Sequence, residues 1–179
     1  MTETSERYRR VADGFEVRLA GVSPDRWEAP TPCTDWTVAQ LVGHVVDTHE
    51  RVLGAIEVVP AAAGDDVAAR WAAARRAVAE GLDDPARAGR VVGGMFGEQP
   101  FETLVGRLLC ADTLLHTWDL ARATGQDEQL DGDAAAKALA FLEPIDDAIR
   151  RPGGFGPKLP CPAGADVQTA LLSFGGRPA

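Results

Sequence analysis

The chain has 179 residues, 45% of them hydrophobic, which is enough to bury one sizeable core but not two. Its formal net charge is −9 and its Lys and Arg residues are scattered, which argues against nucleic acid as a partner. The apolar stretches are too short to span a bilayer, and the N-terminus lacks the pattern of a signal peptide. We therefore expect a single domain over residues 1–179 that is cytoplasmic and binds no membrane.

The first predicted element is an amphipathic helix over residues 3–20. Its apolar side chains recur at helical spacing, and Gly21 with the following Ser-Pro pair ends the pattern. The three cysteines show no metal-like spacing, which favours a reducing compartment over a disulfide framework.

A second helix is predicted from about residue 37 to residue 57. The preceding segment "WEAPTPCTDW" offers Thr34 or Asp35 as a cap, and Thr37 with Gln40 could form a capping box. The apolar residues of this helix form a broad stripe, as expected of a helix packed among several others.

Helical patterns continue through most of the remaining chain. An alanine-rich helix is predicted over 65–81, and "RVVGGMFGEQPF" then reads as a loop or short hairpin. A long helix follows from Pro100 to Thr124, which Gly125 ends.

The last predicted helix spans about 132–148. It begins near Asp131 or Asp133 and ends before Pro152. The tail that follows is rich in Pro and Gly, and "VQTALLSFGGRP" within it could dock one more apolar turn on the body of the protein. The pattern as a whole indicates an all-α protein.

The helix predicted over 100–124 carries polar residues within its apolar face. On a wheel of about 100° per residue, Asp112, His116 and Asp119 fall inside the apolar arc. The opposite face is interpreted as the solvent-exposed one, and it contains Thr103, Gly106, Arg107, Cys110, Thr113 and Thr117. Because an ionised side chain without partners costs several kcal/mol to bury, the three polar residues must satisfy one another or a ligand.

The spacing of Asp112 and His116 is that of metal ligands. Residues four apart lie above one another on a helix, so one ion could accept both a carboxylate oxygen and an imidazole nitrogen. A third ligand would be His44 or His49 on the second helix, and the wheel does not choose between them. The alternative is an Asp–His hydrogen bond that a helical core tolerates.

Three segments carry a resemblance to a known family: "PTPCTDWTVAQLVGHVV", "LHTWDLARATGQD" and "FGPKLPCPAGADVQTALLSFGGRP". They resemble the actinobacterial branch of the DinB-like superfamily, whose members are similar to the N-terminal domain of mycothiol-dependent maleylpyruvate isomerase. The resemblance implies a four-helix bundle over about 3–150 with a short extra helix, and an irregular tail over 151–179. It also implies a divalent metal held by side chains of the second and fourth helices.

Carried over by motif, the implied metal ligands are His44, Asp112 and His116, and His49 becomes a bystander. Zinc is the expected metal, and nickel, iron and manganese are the alternatives. The isomerase-type motif has a glutamate where this chain has Asp112, which is one methylene shorter and shifts the ion toward the fourth helix or admits a water.

The resemblance implies a function as well as a fold. A thiol coordinated to a metal loses its proton and becomes a nucleophile at neutral pH. We therefore expect a thiol S-transferase or thiol-assisted isomerase that uses mycothiol as cosubstrate and acts on a small electrophile. The alternative is a non-catalytic stress-response bundle that binds a metal or a small ligand, and a homodimer through exposed helix faces is compatible with either.

Three further residues are candidates for the surroundings of the site. Asp119 is expected to accept the free N–H of His44 or His116, with an ion pair to Arg122 or another arginine as the alternative. Trp36 and Trp118 are candidates for packing or for a pocket wall.

Cys33 offers a rival mechanism, because a thiol just before a helix can have a lowered pKa and act as a nucleophile. It precedes His44 by about three helical turns, on the order of 15 Å along the axis, which is too far for a metal there to activate it. We therefore expect Cys33 to be structural.

Overall fold

The computed structural model describes residues 1–33, 35–61, 66–94, 96–150 and 154–178, and it confirms the all-α class. The long helices are α1 (Glu3–Ala20), α2 (Val38–Gly54), α3 (Val67–Asp83) and α6 (Cys110–Thr124). The shorter elements are α4 (Pro85–Ala88), β1 (Val91–Val92), β2 (Gln99–Pro100), α5 (Phe101–Leu104), α7 (Gly132–Leu142), α8 (Asp146–Ile149) and α9 (Val167–Phe174). None of the described helices combines the length and apolar character needed to cross a membrane.

The four long helices form the bundle. Helix α1 packs against α3 and α6, and α2 packs against the same two helices. Their apolar stripes meet in one cluster, in which Phe15, Leu41, Trp71 and Leu120 are fully buried. The amphipathic patterns of the sequence therefore define which helices share this core.

A second apolar cluster lies on the other side of α6, where α7 packs against α6 and α9 packs against α7. Trp118, Ala135 and Leu171 are buried within it. The docked apolar turn predicted near the end of the chain is therefore confirmed as α9.

Packing on several sides overturns the predicted solvent face of the fourth helix. Cys110, Thr113 and Thr117 are buried, because α6 is covered by α1, α2 and α7 together. From Cys110 to Ala121, Asp112 alone among the described side chains is half-buried and the rest are buried. Because other helices enclose the middle of α6, it has no solvent-exposed face there, and a helical wheel cannot identify one.

The helix predicted over 100–124 is also interrupted. Pro100 closes β2, α5 follows it, and a π-turn over Val105–Leu109 then precedes α6. A π-turn accommodates an extra residue, so every position after it is displaced by about 100° on a wheel that starts at Leu104. The relative placement of Asp112, His116 and Asp119 is unaffected because all three follow the π-turn.

Other boundaries agree with the sequence or differ for a local reason. The predicted hairpin is confirmed, since β1 and β2 pair antiparallel. Gly125 ends α6 in the left-handed conformation, with φ 70°, and Asp131 caps α7. Helix α7 ends earlier than predicted because Pro144 cannot continue an α-helix and lies in a 3-10 turn, Glu143–Ile145. The positions proposed at Thr34, Asp65 and Pro152 lie outside the described residues.

Thr37, and not Asp35, is the cap of α2. The Thr37 side chain accepts from the Gln40 backbone N–H, and the Gln40 side chain accepts from the Thr37 backbone N–H, which completes the predicted capping box. Asp35 instead adopts φ 70° in the preceding turn.

Thr37→Ala is expected to lower the free energy of unfolding by about 1 kcal/mol, because it leaves a backbone N–H at the start of α2 without its acceptor. Urea denaturation measures this loss. Thr37→Ser keeps the hydroxyl and serves as the control, so an equal loss in both variants would contradict the assignment of the cap.

Candidate metal centre

Helices α2 and α6 lie side by side and bring three of the predicted residues together. The His44 Nε2 atom lies 3.2 Å from Asp112 Oδ1, and His116 Nε2 lies 3.6 Å from the same oxygen. One ligand atom from each residue falls within 4.8 Å of the other two. The four-residue spacing on α6 accounts for the Asp112–His116 pair, and the packing of α2 supplies His44.

The carboxylate and imidazole groups of this cluster shift one another's pKa values toward the charged forms. Burial alone would raise the pKa of Asp112, but His116 and His44 outweigh it and hold the Asp112 pKa well below its usual range. Burial would lower the pKa of His116, but the charge of Asp112 and its hydrogen bonds raise that pKa well above its ordinary value. The neighbouring carboxylates therefore favour the protonated form of the His116 imidazole.

One oxygen of Asp112 has no partner. Asp112 Oδ2 is buried and forms no hydrogen bond with the part of the chain that the structure describes. A buried carboxylate oxygen without a partner is costly, and a bound cation would satisfy it. Two imidazole nitrogens and a carboxylate oxygen are donors that suit zinc, and they also suit nickel, iron or manganese.

Asp119 lies beside His116 and Arg177. His116 Nδ1 is 3.0 Å from Asp119 Oδ2, so the imidazole that Asp119 orients is that of His116 and not that of His44. Arg177, which follows α9, donates to both Asp119 oxygens at 3.0 and 2.7 Å. Arg122 pairs with Glu128 instead. The His116 hydrogen bond and the Arg177 charge overcome the effect of burial and lower the Asp119 pKa to about 2.

Cys33 is much closer to the site than predicted. Its Sγ atom lies 3.1 Å from Asp119 Oδ2 and 3.7 Å from His116 Nδ1. The estimate along the helix axis was wrong because the chain before α2 does not continue that axis. Residues 27–31 run back beside 36–39, with the Val38 N–H donating to the Ala29 carbonyl, and Cys33 between them contacts His116 and Asp119 of α6.

His116 thus separates two clusters of donor atoms. Its Nε2 faces Asp112 and His44, while its Nδ1 faces Asp119 and Cys33, and each group of three lies within 4.8 Å. On the Cys33 side both carboxylate oxygens are already held by Arg177. On the Asp112 side, Asp112 Oδ2 has no hydrogen-bond partner among the described residues, so this side fits a cation better.

The two candidate tryptophans have different positions. The Trp36 ring lies 4.7 Å from the His44 ring and 5.9 Å from the His116 ring, so it forms one wall of the centre. Trp118 is instead 1% exposed in the second apolar cluster, with the Arg122 guanidinium over its ring at 5.2 Å. Trp118 therefore packs and does not line the centre.

His49 lies away from the donor atoms and is fully buried. Its Nδ1–H donates to the Val45 carbonyl at 2.8 Å, and its ring contacts those of Tyr8 and Trp71. Burial lowers the pKa of His49 to about 4, so the ring is neutral at pH 7. This placement agrees with the bystander role that the resemblance implied.

The fold and this centre point to one class of protein. The family model of the mycothiol maleylpyruvate isomerase N-terminal domain matches residues 8–121, and the chain belongs to this family. The matched span includes His44, Asp112, His116 and Asp119, while Arg177 lies beyond it.

Similar proteins occur in Mycobacterium tuberculosis. The uncharacterized protein Rv0738 is 34% identical over 174 residues, which cover 95% of each chain. The uncharacterized protein Rv0036c is 29% identical over 156 residues, which cover 79% of this chain and 58% of Rv0036c. No solved structure matches the chain.

Proposed function

We propose that this protein is a cytoplasmic, divalent-metal-dependent thiol S-transferase or thiol-assisted isomerase that acts on a small electrophile, with mycothiol as the thiol. The observation that carries the proposal is the meeting of His44, Asp112 and His116, beside an Asp112 oxygen that has no partner among the described residues. The His44 side chain is 32% exposed, so a small molecule has access to the centre. Membership of the mycothiol isomerase domain family supports the choice of thiol.

In this proposal His44 Nε2, Asp112 and His116 Nε2 hold the metal, with zinc as the first choice. A bound divalent metal lowers the pKa of a coordinated thiol and so supplies a nucleophile at neutral pH. Trp36 covers one side of both imidazoles and limits the approach of water.

The residues behind the centre orient His116. Asp119 accepts the Nδ1–H, which fixes the tautomer whose Nε2 is free to bind a cation. Arg177 keeps Asp119 ionised and in place. His116 must lose a proton before it binds a metal, so metal affinity is expected to weaken as the pH falls.

A non-catalytic binding bundle is the second candidate function. The observation that favours it is that His116 links Asp112 to Asp119 through its two ring nitrogens. Such a network can stabilise the core by itself, and a ligand would then bind without turnover.

The first test is metal content, measured by elemental analysis on protein purified without a metal-binding tag. We expect about one ion per chain in the wild type and almost none in His44→Ala or Asp112→Asn, because three protein ligands hold the ion. Asp47→Asn removes an exposed carboxylate on α2 and is the matched control, with wild-type content expected. Wild-type protein that stays metal-free after incubation with zinc, nickel and manganese would contradict the site.

The second test concerns the thiol. In cobalt-substituted protein, mycothiol is expected to produce a thiolate-to-cobalt charge-transfer band, whereas its S-methyl derivative is expected to produce none. Consumption of mycothiol with a small electrophile, lost in His44→Ala, would support an enzyme. A bound metal without either signal would favour the binding bundle.

A further inference from the structure

A cavity of about 510 Å³ lies between the first turns of α1, the π-turn and the end of α7. It shares no lining residue with the metal centre described above. Its walls carry three basic side chains, Arg7, Arg107 and Lys137, together with an apolar surface that includes Phe141 and Ile145. This volume is in the range of small-molecule sites, which combine apolar walls with a few polar groups.

The three cations are incompletely neutralised. Arg7 and Lys137 share one carboxylate, that of Glu3, at 3.3 and 3.1 Å, and the Glu3 side chain is itself 70% exposed. Within the described chain no carboxylate lies within ion-pair distance of Arg107, whose Nη1 donates to the neutral Gln99 side chain at 3.0 Å. In a protein of net charge −9, this excess of positive charge stands out.

Arg7 is a largely buried cation beside the Cys110 thiol. Its side chain is 9% exposed, and its Nε atom is buried without a partner among the described residues. The neighbouring Cys110 thiol does not offset the charge, because burial raises the pKa of Cys110 to about 11 and keeps the thiol neutral. Arg7 also lines the cavity, and a guanidinium at a cavity wall is suited to an anionic group.

The π-turn shapes the wall next to Arg7. A Cβ atom at Gly106 would lie 3.0 Å from Arg7 Nη2, so the absence of a side chain there lets the guanidinium approach the helix backbone. Arg107 follows on the same turn, and its guanidinium lies 5.8 Å from the centre of the Phe141 ring. Turns of this kind are frequent at functional sites.

We propose that this cavity binds a small organic anion, in which a phosphate or carboxylate group contacts Arg7 and Arg107 and an apolar group packs beside Phe141 and Ile145. Lys137 stands at the same wall and adds to the positive potential. Binding here is independent of the proposed thiol chemistry, because none of these residues contacts the three metal ligands in the structure.

The probes for a titration are phenyl phosphate and benzoate, with inorganic phosphate and benzyl alcohol as partial ligands. Calorimetry on chelator-treated protein is expected to show saturable binding of phenyl phosphate or benzoate, at least about tenfold tighter than either partial ligand. The comparison of the two anions distinguishes phosphate from carboxylate. Backbone amide signals of Gly106 and Arg107 are expected to shift on binding.

Arg107→Gln is expected to weaken binding at least about tenfold, because it removes a charged hydrogen-bond donor from an exposed position. Arg76→Gln, which removes an exposed arginine on α3, is the matched control and should leave affinity unchanged. His44→Ala should also leave it unchanged. Absence of saturable binding, unchanged affinity in Arg107→Gln, or lost affinity in His44→Ala would each overturn the proposal.

Discussion

Asp119→Leu is expected to lower the free energy of unfolding by about 3 kcal/mol and to weaken zinc binding about 10- to 100-fold. The stability loss arises because Arg177, whose side chain is 12% exposed, would keep its charge without the carboxylate that receives it. The loss of affinity arises because His116 Nδ1 would no longer have the acceptor that orients the ring. Urea denaturation of metal-free protein and competition with a chromophoric chelator measure the two effects.

The double variant Asp119→Leu with Arg177→Met separates these two effects. Removing both charges together is expected to recover most of the lost stability, because replacing a buried ion pair by apolar side chains is often nearly neutral. Zinc affinity should stay low, since His116 still lacks its acceptor. Arg177→Met alone leaves Asp119 beside His116 and is expected to change zinc affinity less than the Asp119 variants do.

One result would contradict a positioning role for Asp119. If the double variant regained wild-type zinc affinity together with its stability, Asp119 would serve the fold and not the orientation of His116. A low affinity in a stable double variant is the result that a purely structural role does not produce.

The metal-free protein is expected to lose about 3 kcal/mol of stability through His49 as the pH falls from 6.5 to 4. The pKa of His49 is lowered from 6.5 to about 4 by burial. Between pH 6.5 and 4, the His49 side chain is protonated in the unfolded chain and neutral in the folded protein. The stabilisation is therefore complete above pH 6.5, lost as the pH falls, and exhausted below about pH 4.

His49→Gln removes the titrating group and keeps a donor for the Val45 carbonyl. The variant is expected to be less stable at pH 7 but to show a flatter stability curve between pH 6.5 and 4. Thr37→Ala serves as a control that lowers stability by the same amount at each pH. A wild-type curve as flat as that of His49→Gln would show that His49 is not the source of acid sensitivity.

The sequence was sufficient for the parts of this molecule that depend on local pattern. Apolar spacing located α1 and α2 to within a few residues, and the Thr37 and Gly125 ends of helices followed from their side-chain and backbone chemistry. The joint placement of Asp112 and His116 followed from helix geometry alone. The choice of His44 over His49 needed the family motif, because both histidines border the apolar stripe of α2.

The features that sequence could not supply depend on contacts between distant segments. Cys33 reaches His116 through a loop that folds back, and Arg177 reaches Asp119 from 58 positions further along the chain. Neither contact could be predicted from residue spacing, because contacts between distant segments leave no periodic pattern in the sequence. The burial of Thr113 and Thr117 was missed for a similar reason, because the helices that pack around α6 come from other parts of the chain and the α6 pattern does not specify them.

The π-turn makes the length of the chain between Leu104 and Cys110 a constraint on insertions and deletions. Removing one residue there would restore an uninterrupted α-helix and rotate α5 and the hairpin by about 100° relative to Asp112 and His116. A related protein with that deletion could preserve either the packing of α5 or the direction of the α6 face that carries Asp112 and His116, but not both. The number of residues between Leu104 and Cys110 thus sets the direction in which Asp112 and His116 point relative to α5.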